Sequence, residues 1–172
     1  MAKTLSLANP VHEIVVEINH QPWLAWYQSD EWQEKLSEII RGTLKYIQWN
    51  YESEVSVLLT DEGYSRQLNH VYRGKDSPTN VLSFPAFTLE ELHLLAKKQP
   101  SLILGDIVLS LETVLKESKE QNKPFLNHLM HLTVHGTLHL LGYDHQLDNQ
   151  AEQMELLEVD ILSSMGVANP YQ

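Results

Sequence analysis

The stretch Phe125 to His145, FLNHLMHLTVHGTLHLLGYDH, constrains the fold more than any other part of the chain. It holds five of the nine histidines. Pro124 suits the first turn of a helix, where a missing N–H costs nothing, and the apolar residues carry that helix to about Leu141. At helical pitch His128, His131, His135 and His139 fall within an arc of about 80°. Leu126, Met130, Val134 and Leu141 lie on the other side. A helix that is apolar except for one imidazole stripe belongs in the middle of a domain, with the stripe turned toward a site.

Spacing decides which imidazoles can share a ligand. No cysteine is present, so a transition-metal site here is built from imidazoles and carboxylates. His135 and His139 stand one turn apart on one face, as in helical zinc sites. His131 and His139 are separated by about 12 Å along the axis, too far for bonds of about 2 Å to one ion. A third ligand therefore comes from a chain that turns back. Gly142 can adopt the left-handed conformation that ends a helix, and His145 follows three residues later. His-x3-His-x5-His has the layout of the long zincin motif, with one departure: Gly136 stands where those peptidases carry their glutamate base. Three neutral ligands leave a position open, as in catalytic rather than structural sites, and water there can have its pKa lowered to about 7. His131 and His128 suit supporting or substrate-facing roles. Asp144 is either a partner that orients His145 or a turn residue. Gly136 either leaves room beside the metal or permits close helix packing.

The rest of the chain reads as strands and helices without regular alternation, hence α+β in one domain over residues 1–172. Strands are expected over Val11–Asn19, Glu54–Thr60, Asn80–Phe84 and Leu102–Leu109, the last interrupted at Gly105-Asp106. They imply a small, mostly four-stranded sheet packed against helices, with the metal site on a central helix and the turn after it. Asp30 is expected to cap a helix, with Gln33 completing the capping box. A short helix from Asp61 to about Val71 would turn Tyr64, Leu68 and Val71 inward. Tyr72–Thr79 reads as a loop, Thr88–Lys98 and Leu111–Gln121 as helices, and Asp148–Met165 as a last helix burying Met154, Leu157, Ile161 and Met165.

Charge runs against a general polyanion binder. Twenty-three acids face 12 bases, a formal net charge of −11, so the average field repels nucleic acid unless a local basic spot or a cation intervenes. Met1–Pro10 lacks a continuous apolar core and no apolar run is long enough to span a bilayer, so a cytoplasmic protein without membrane association is expected.

HGTLHLLGYDH (His135–His145), YRGKDSPTNVLSFP (Tyr72–Pro85) and Gly105-Asp106-Ile107 together resemble the YbeY family of bacterial endoribonucleases. Their order and separation match over most of the chain. The resemblance implies a zincin-like α+β domain and a zinc-dependent, single-strand-specific endoribonuclease. It implies ribosomal RNA as substrate, with roles in 3′-end maturation of 16S rRNA and in ribosome quality control. Ribosomal proteins or ribosome-associated factors are implied partners. The family's metal-binding histidines correspond to His135, His139 and His145, with one Zn²⁺ per chain, and its functional arginine to Arg73. The family commonly has Asp where this chain has Asn80.

Arg73 offers a planar fork for phosphate, and with Lys75 a local positive spot; its alternative is a surface pair with Asp76. With Gly136 in place of a base, proton transfer falls to metal hydroxide, His131 or the substrate. Two rivals stand beside this reading. A zinc peptidase shares the cradle but lacks the glutamate, and general-base catalysis is worth roughly 10²- to 10⁴-fold. A ribosome-associated binding protein with a structural metal would unfold when the metal is removed.

Overall fold

The computed structural model describes residues 10–144 and 148–172, with the side chains of Asp148 and Asn149 excepted. His145, and all but the last residue of the Met1–Pro10 segment, lie outside the described residues. Four strands, β1 (His12–Ile18), β2 (Glu52–Thr60), β3 (Val81–Pro85) and β4 (Ser101–Ser110), form one sheet in the order β1-β2-β4-β3. The first three neighbours run parallel and β3 is antiparallel to β4. Among the described residues six α-helices accompany them: α1 (Ser29–Tyr46), α2 (Glu62–Arg73), α3 (Leu89–Leu95), α4 (Leu111–Glu120), α5 (Phe125–Leu140) and α6 (Asp148–Ser164). The architecture is α+β, a small mixed sheet packed with helices. No helix among the described residues is long and apolar enough to cross a membrane.

Helix α5 sits at the centre, as its composition requires. It packs on β3 and β4 and touches α1, α4 and α6. Leu129, Val134, Leu138 and Leu140 are fully enclosed. Thr133 and Thr137, equally buried, donate their hydroxyls to the carbonyls of Leu129 and Thr133 at 2.8 Å, so neither is left unsatisfied in the core. Gly136 belongs to this packing. A Cβ there would lie 3.2 Å from Ile107 Cγ2 and from Ser83 Oγ, so its hydrogen side chain lets α5 rest close on the sheet.

Four local expectations change. The cap of α1 is Gln28, whose N–H donates to Glu31 at 2.8 Å, so Asp30 is already inside the helix. Gln33 instead reaches across to edge strand β1: its Oε1 accepts from Val16 N–H at 2.9 Å and its Nε2 donates to Ile14 O. Together with Arg41 on His12 O, this occupies backbone groups that an edge strand would otherwise expose. On α2 the buried residues are Ser65 and Asn69, while Val71 and Tyr64 are exposed and Leu68 is half-buried. The cause is a demand for hydrogen bonds: Ser65 Oγ donates to Thr79 O at 2.7 Å and Asn69 Nδ2 donates to Ser77 O at 2.8 Å, pinning the following loop. Tyr72 and Arg73 complete α2 rather than begin the loop.

The fourth change concerns β4, which runs through Gly105-Asp106 without a break. Its register against β2 shifts there, with Glu54 opposite Ile103 and Val55 opposite Gly105. Gly105 has φ +136°, and a Cβ would sit 2.1 Å from Phe84 O. Glycine here permits a bulge and the close approach of β3, so what reads as an interruption in sequence is a bend in a continuous strand.

Candidate metal and phosphate cleft

The site forms where the C-terminal half of α5 meets β3 and the end of α2. Arg73, Ser83, His135, His139, Tyr143 and Asp144 line one cleft of about 440 Å³. Arg73 is placed by the close of α2 at Gly74, in the left-handed conformation, and extends from an exposed position at the rim. Asp76 does not claim it. That carboxylate is held by Arg66, through Nε at 2.7 Å and Nη2 at 2.9 Å, and Arg73 has no ion pair among the described residues. Lys75 does not line the cleft.

His135 and His139 converge as their spacing demands, Nε2 to Nε2 at 3.0 Å. Behind them stands Glu158 of α6, which is 1% exposed. Burial pushes its carboxyl upward, but hydrogen bonds from His131, His135 and the Tyr171 hydroxyl outweigh it and bring the pKa down to about 2. An ionised Glu158 accepts only, so the 2.5 Å contact with His135 is an Nδ1–H donating to Oε1. That tautomer turns the lone pair of His135 Nε2 toward His139. Two nitrogens bonded to one tetrahedral ion lie roughly 3.3 Å apart, so the pair fits a zinc-type donor set, with a carboxylate fixing one ring from behind. The third expected ligand, His145, lies outside the described residues, and no group of three candidate ligands is present among them. Gly142, φ +86°, supplies the expected turn. Asp144 lines the cleft as well.

The other two histidines of the stripe face a neighbouring cavity that shares Val81 and His135 with the first. His128 is buried and its Nε2 lies 2.7 Å from Glu117 Oε2. Asn80 Nδ2 donates to that same oxygen at 2.9 Å. Burial acts to raise the Glu117 pKa, yet the His128 and Asn80 hydrogen bonds carry it below its ordinary value. His131 Nε2 lies 3.4 Å from Glu158 Oε2 and 3.2 Å from the Tyr171 hydroxyl. Tyr171 also donates to Glu158 Oε2; burial and that carboxylate hold the phenol protonated well above its ordinary range.

Glu117, Glu158 and Tyr171 escape a reading of the sequence. One signal was present for Glu158: it falls four residues after Met154 and three before Ile161, on the buried stripe of α6. A carboxylate at a core position needs a partner, and the imidazole stripe supplies it.

The comparisons with known proteins cover this arrangement up to the end of α6. The family model described as Endoribonuclease YbeY matches residues 17–166. A protein named Endoribonuclease YbeY from Acinetobacter baumannii strain ACICU is 46% identical over 150 residues, covering 85% of this chain and 93% of that protein. One of the same name from Acinetobacter baylyi is 46% identical over 138 residues, covering 80% and 85%. The solution structure of TM1509 from Thermotoga maritima aligns with a TM-score of 0.50 at 25% identity, over 91% of this chain and 92% of that one. The matched span runs from β1 to beyond α6 and carries Arg73, the histidine stripe and Glu158, so the chain belongs to the Endoribonuclease YbeY family.

Proposed function

We propose that this protein is a cytoplasmic, zinc-dependent endoribonuclease that cuts single-stranded ribosomal RNA, in 3′-end maturation of 16S rRNA and in ribosome quality control. The observation that carries the reading is the meeting of the His135 and His139 Nε2 atoms, 3.0 Å apart, in a cleft with Arg73 at its rim. The ligands proposed are His135, His139 and His145. Zinc held there supplies Lewis acidity against the phosphodiester.

The protein's own groups do the rest. Arg73, without a carboxylate partner among the described residues, offers its fork to a phosphate oxygen and provides positive charge on a chain of net charge −11. Glu158 holds the His135 ring and its tautomer. His131 faces the adjoining cavity and touches Glu158, which favours a role through that carboxylate over direct contact with RNA. Against a peptidase stands Gly136, which puts no carboxylate where those enzymes keep their general base and instead packs against the Ile107 and Ser83 side chains. The acidic balance implies that bare RNA is held weakly and that ribosomal proteins help present it.

The test is cleavage of a single-stranded ribosomal RNA fragment by purified protein, with chelator, with zinc restored, and beside Arg73→Ala and His139→Ala. Activity lost in chelator and both variants, and regained by wild type with zinc, supports the reading. Robust cleavage by both variants refutes it.

A further inference from the structure

Glu158 meets His135 through Oε1, and its Oε2 meets both His131 and Tyr171. Tyr171 lies beyond residues 17–166, the span of the family match. Its hydroxyl donates to Glu158 Oε2, and its ring stands edge-on to His131 with centroids 5.3 Å apart at 79°. Two hydrogen bonds and the burial of its neighbour hold it there. Tyr171 N–H donates to Asn169 Oδ1 at 2.8 Å, Lys123 Nζ donates to Pro170 O, and Pro170 itself is buried. The last residues thus fold back over the cavity beside the cleft.

From this geometry we infer that Tyr171 is a positioning residue: with His131 it locks Oε2 of Glu158, so that Oε1 stays on His135 Nδ1 and His135 Nε2 stays aimed into the cleft. The physical reason is rotational freedom. The terminal torsion of a glutamate is broad and nearly two-fold, so a carboxylate held by one oxygen alone turns easily. Two donors on Oε2 remove that freedom without touching His135. His131 takes part as the second donor: its Nδ1 is buried without a partner, which leaves Nε2 as the nitrogen that carries the hydrogen bond. The inference rests on the zinc reading for its consequence, since an oriented ring lowers the cost of ligation, and partners of this kind change metal affinity by roughly 10- to 100-fold.

The experiment compares full-length wild type, Tyr171→Phe and Glu158→Gln. Tyr171→Phe keeps the ring against His131 and removes only the hydroxyl. Zinc affinity is read by competition with a chromophoric chelator, and the His135 tautomer by ring ¹⁵N shifts of the metal-free protein. The expected result is a loss of zinc affinity of several-fold to about 10-fold for Tyr171→Phe and 10- to 100-fold for Glu158→Gln. In the metal-free protein His135 should move from Nδ1–H toward mixed tautomers in the same order. A Tyr171→Phe protein matching wild type in both affinity and ring shifts overturns the inference, even if Glu158→Gln fails to fold. Wild type that binds no zinc overturns the metal reading itself, and with it the purpose of the strap.

Discussion

Along α5, His128 and His131 meet carboxylates from α4 and α6 through Nε2, whereas His135 meets its carboxylate through Nδ1 and points Nε2 at His139. The four rings belong to one stripe, and a four-residue step would pair His131 with His135 as readily as His135 with His139. What separates them is which ring nitrogen the carboxylate takes. A ring bonded to Glu117 or Glu158 through Nε2 has its outermost atom committed within the protein. A ring held through Nδ1 presents Nε2 to the cleft, the arrangement in which histidine serves as a ligand. The N-terminal half of the stripe is therefore tied to carboxylates by its outer nitrogens, and the C-terminal half faces the proposed site.

Substitutions can break that division, beginning with the largest effect. His139→Ala should lower RNA cleavage by ~10²-fold or more while the thermal midpoint stays close to wild type, because the ring is only part-buried and lies at the cleft. Arg73→Ala should cost a comparable ~10² in kcat/KM but leave zinc affinity unchanged, since on the proposed reading the exposed arginine at the cleft rim takes phosphate rather than metal. A fall in zinc affinity in that variant would remove the distinction between rim and cradle. His128→Ala should reverse the pattern. Emptying a buried position and stranding Glu117 should cost about 2–3 kcal/mol in urea unfolding, with zinc affinity kept. Loss of zinc at full stability would move His128 into the site.

Smaller effects sharpen the N-terminal half. Asn80→Asp would set a second carboxylate against Glu117, where Asn80 Nδ2 now donates at 2.9 Å. A loss of about 1–2 kcal/mol is expected, shrinking as salt is added. Glu117 also predicts a pH dependence. Its folded pKa lies below the ordinary 4.5, so its contribution is complete above that value and is lost as pH falls below it. The stability difference between wild type and Glu117→Gln, followed by urea unfolding from pH 7 to pH 3, should narrow below about pH 4.5. A constant difference would mean that the His128 contact does not hold the ionised form.

Much of this was legible from residue order because it depends on local periodicity. The strands at Ile14 and Val57, the central position of α5 and the turn at Gly142 follow from repeats of two or 3.6 residues and from backbone freedom at one glycine. The pairing of His135 with His139 is legible too, as one of those that a four-residue step within one helix allows. Where the reading failed, a distant partner had overruled a local preference. Gln33 leaves its own helix start to cover the β1 edge, Ser65 and Asn69 displace apolar residues from the inner face of α2 to pin a loop, and Gly105 bends β4 instead of interrupting it.

The sequence by itself determined where the imidazoles fall along α5, the absence of thiolate chemistry and the membership in the YbeY family carried by its motifs. Only the tertiary structure decided what each donor does. Glu117, Glu158 and Tyr171 lie 11, 23 and 40 residues from the histidines they touch. No helical or strand period links positions so far apart. Which nitrogen of a ring they occupy is settled by the packing of α4, α6 and the chain end around α5, because a buried carboxylate must take whichever N–H the assembled core brings within reach.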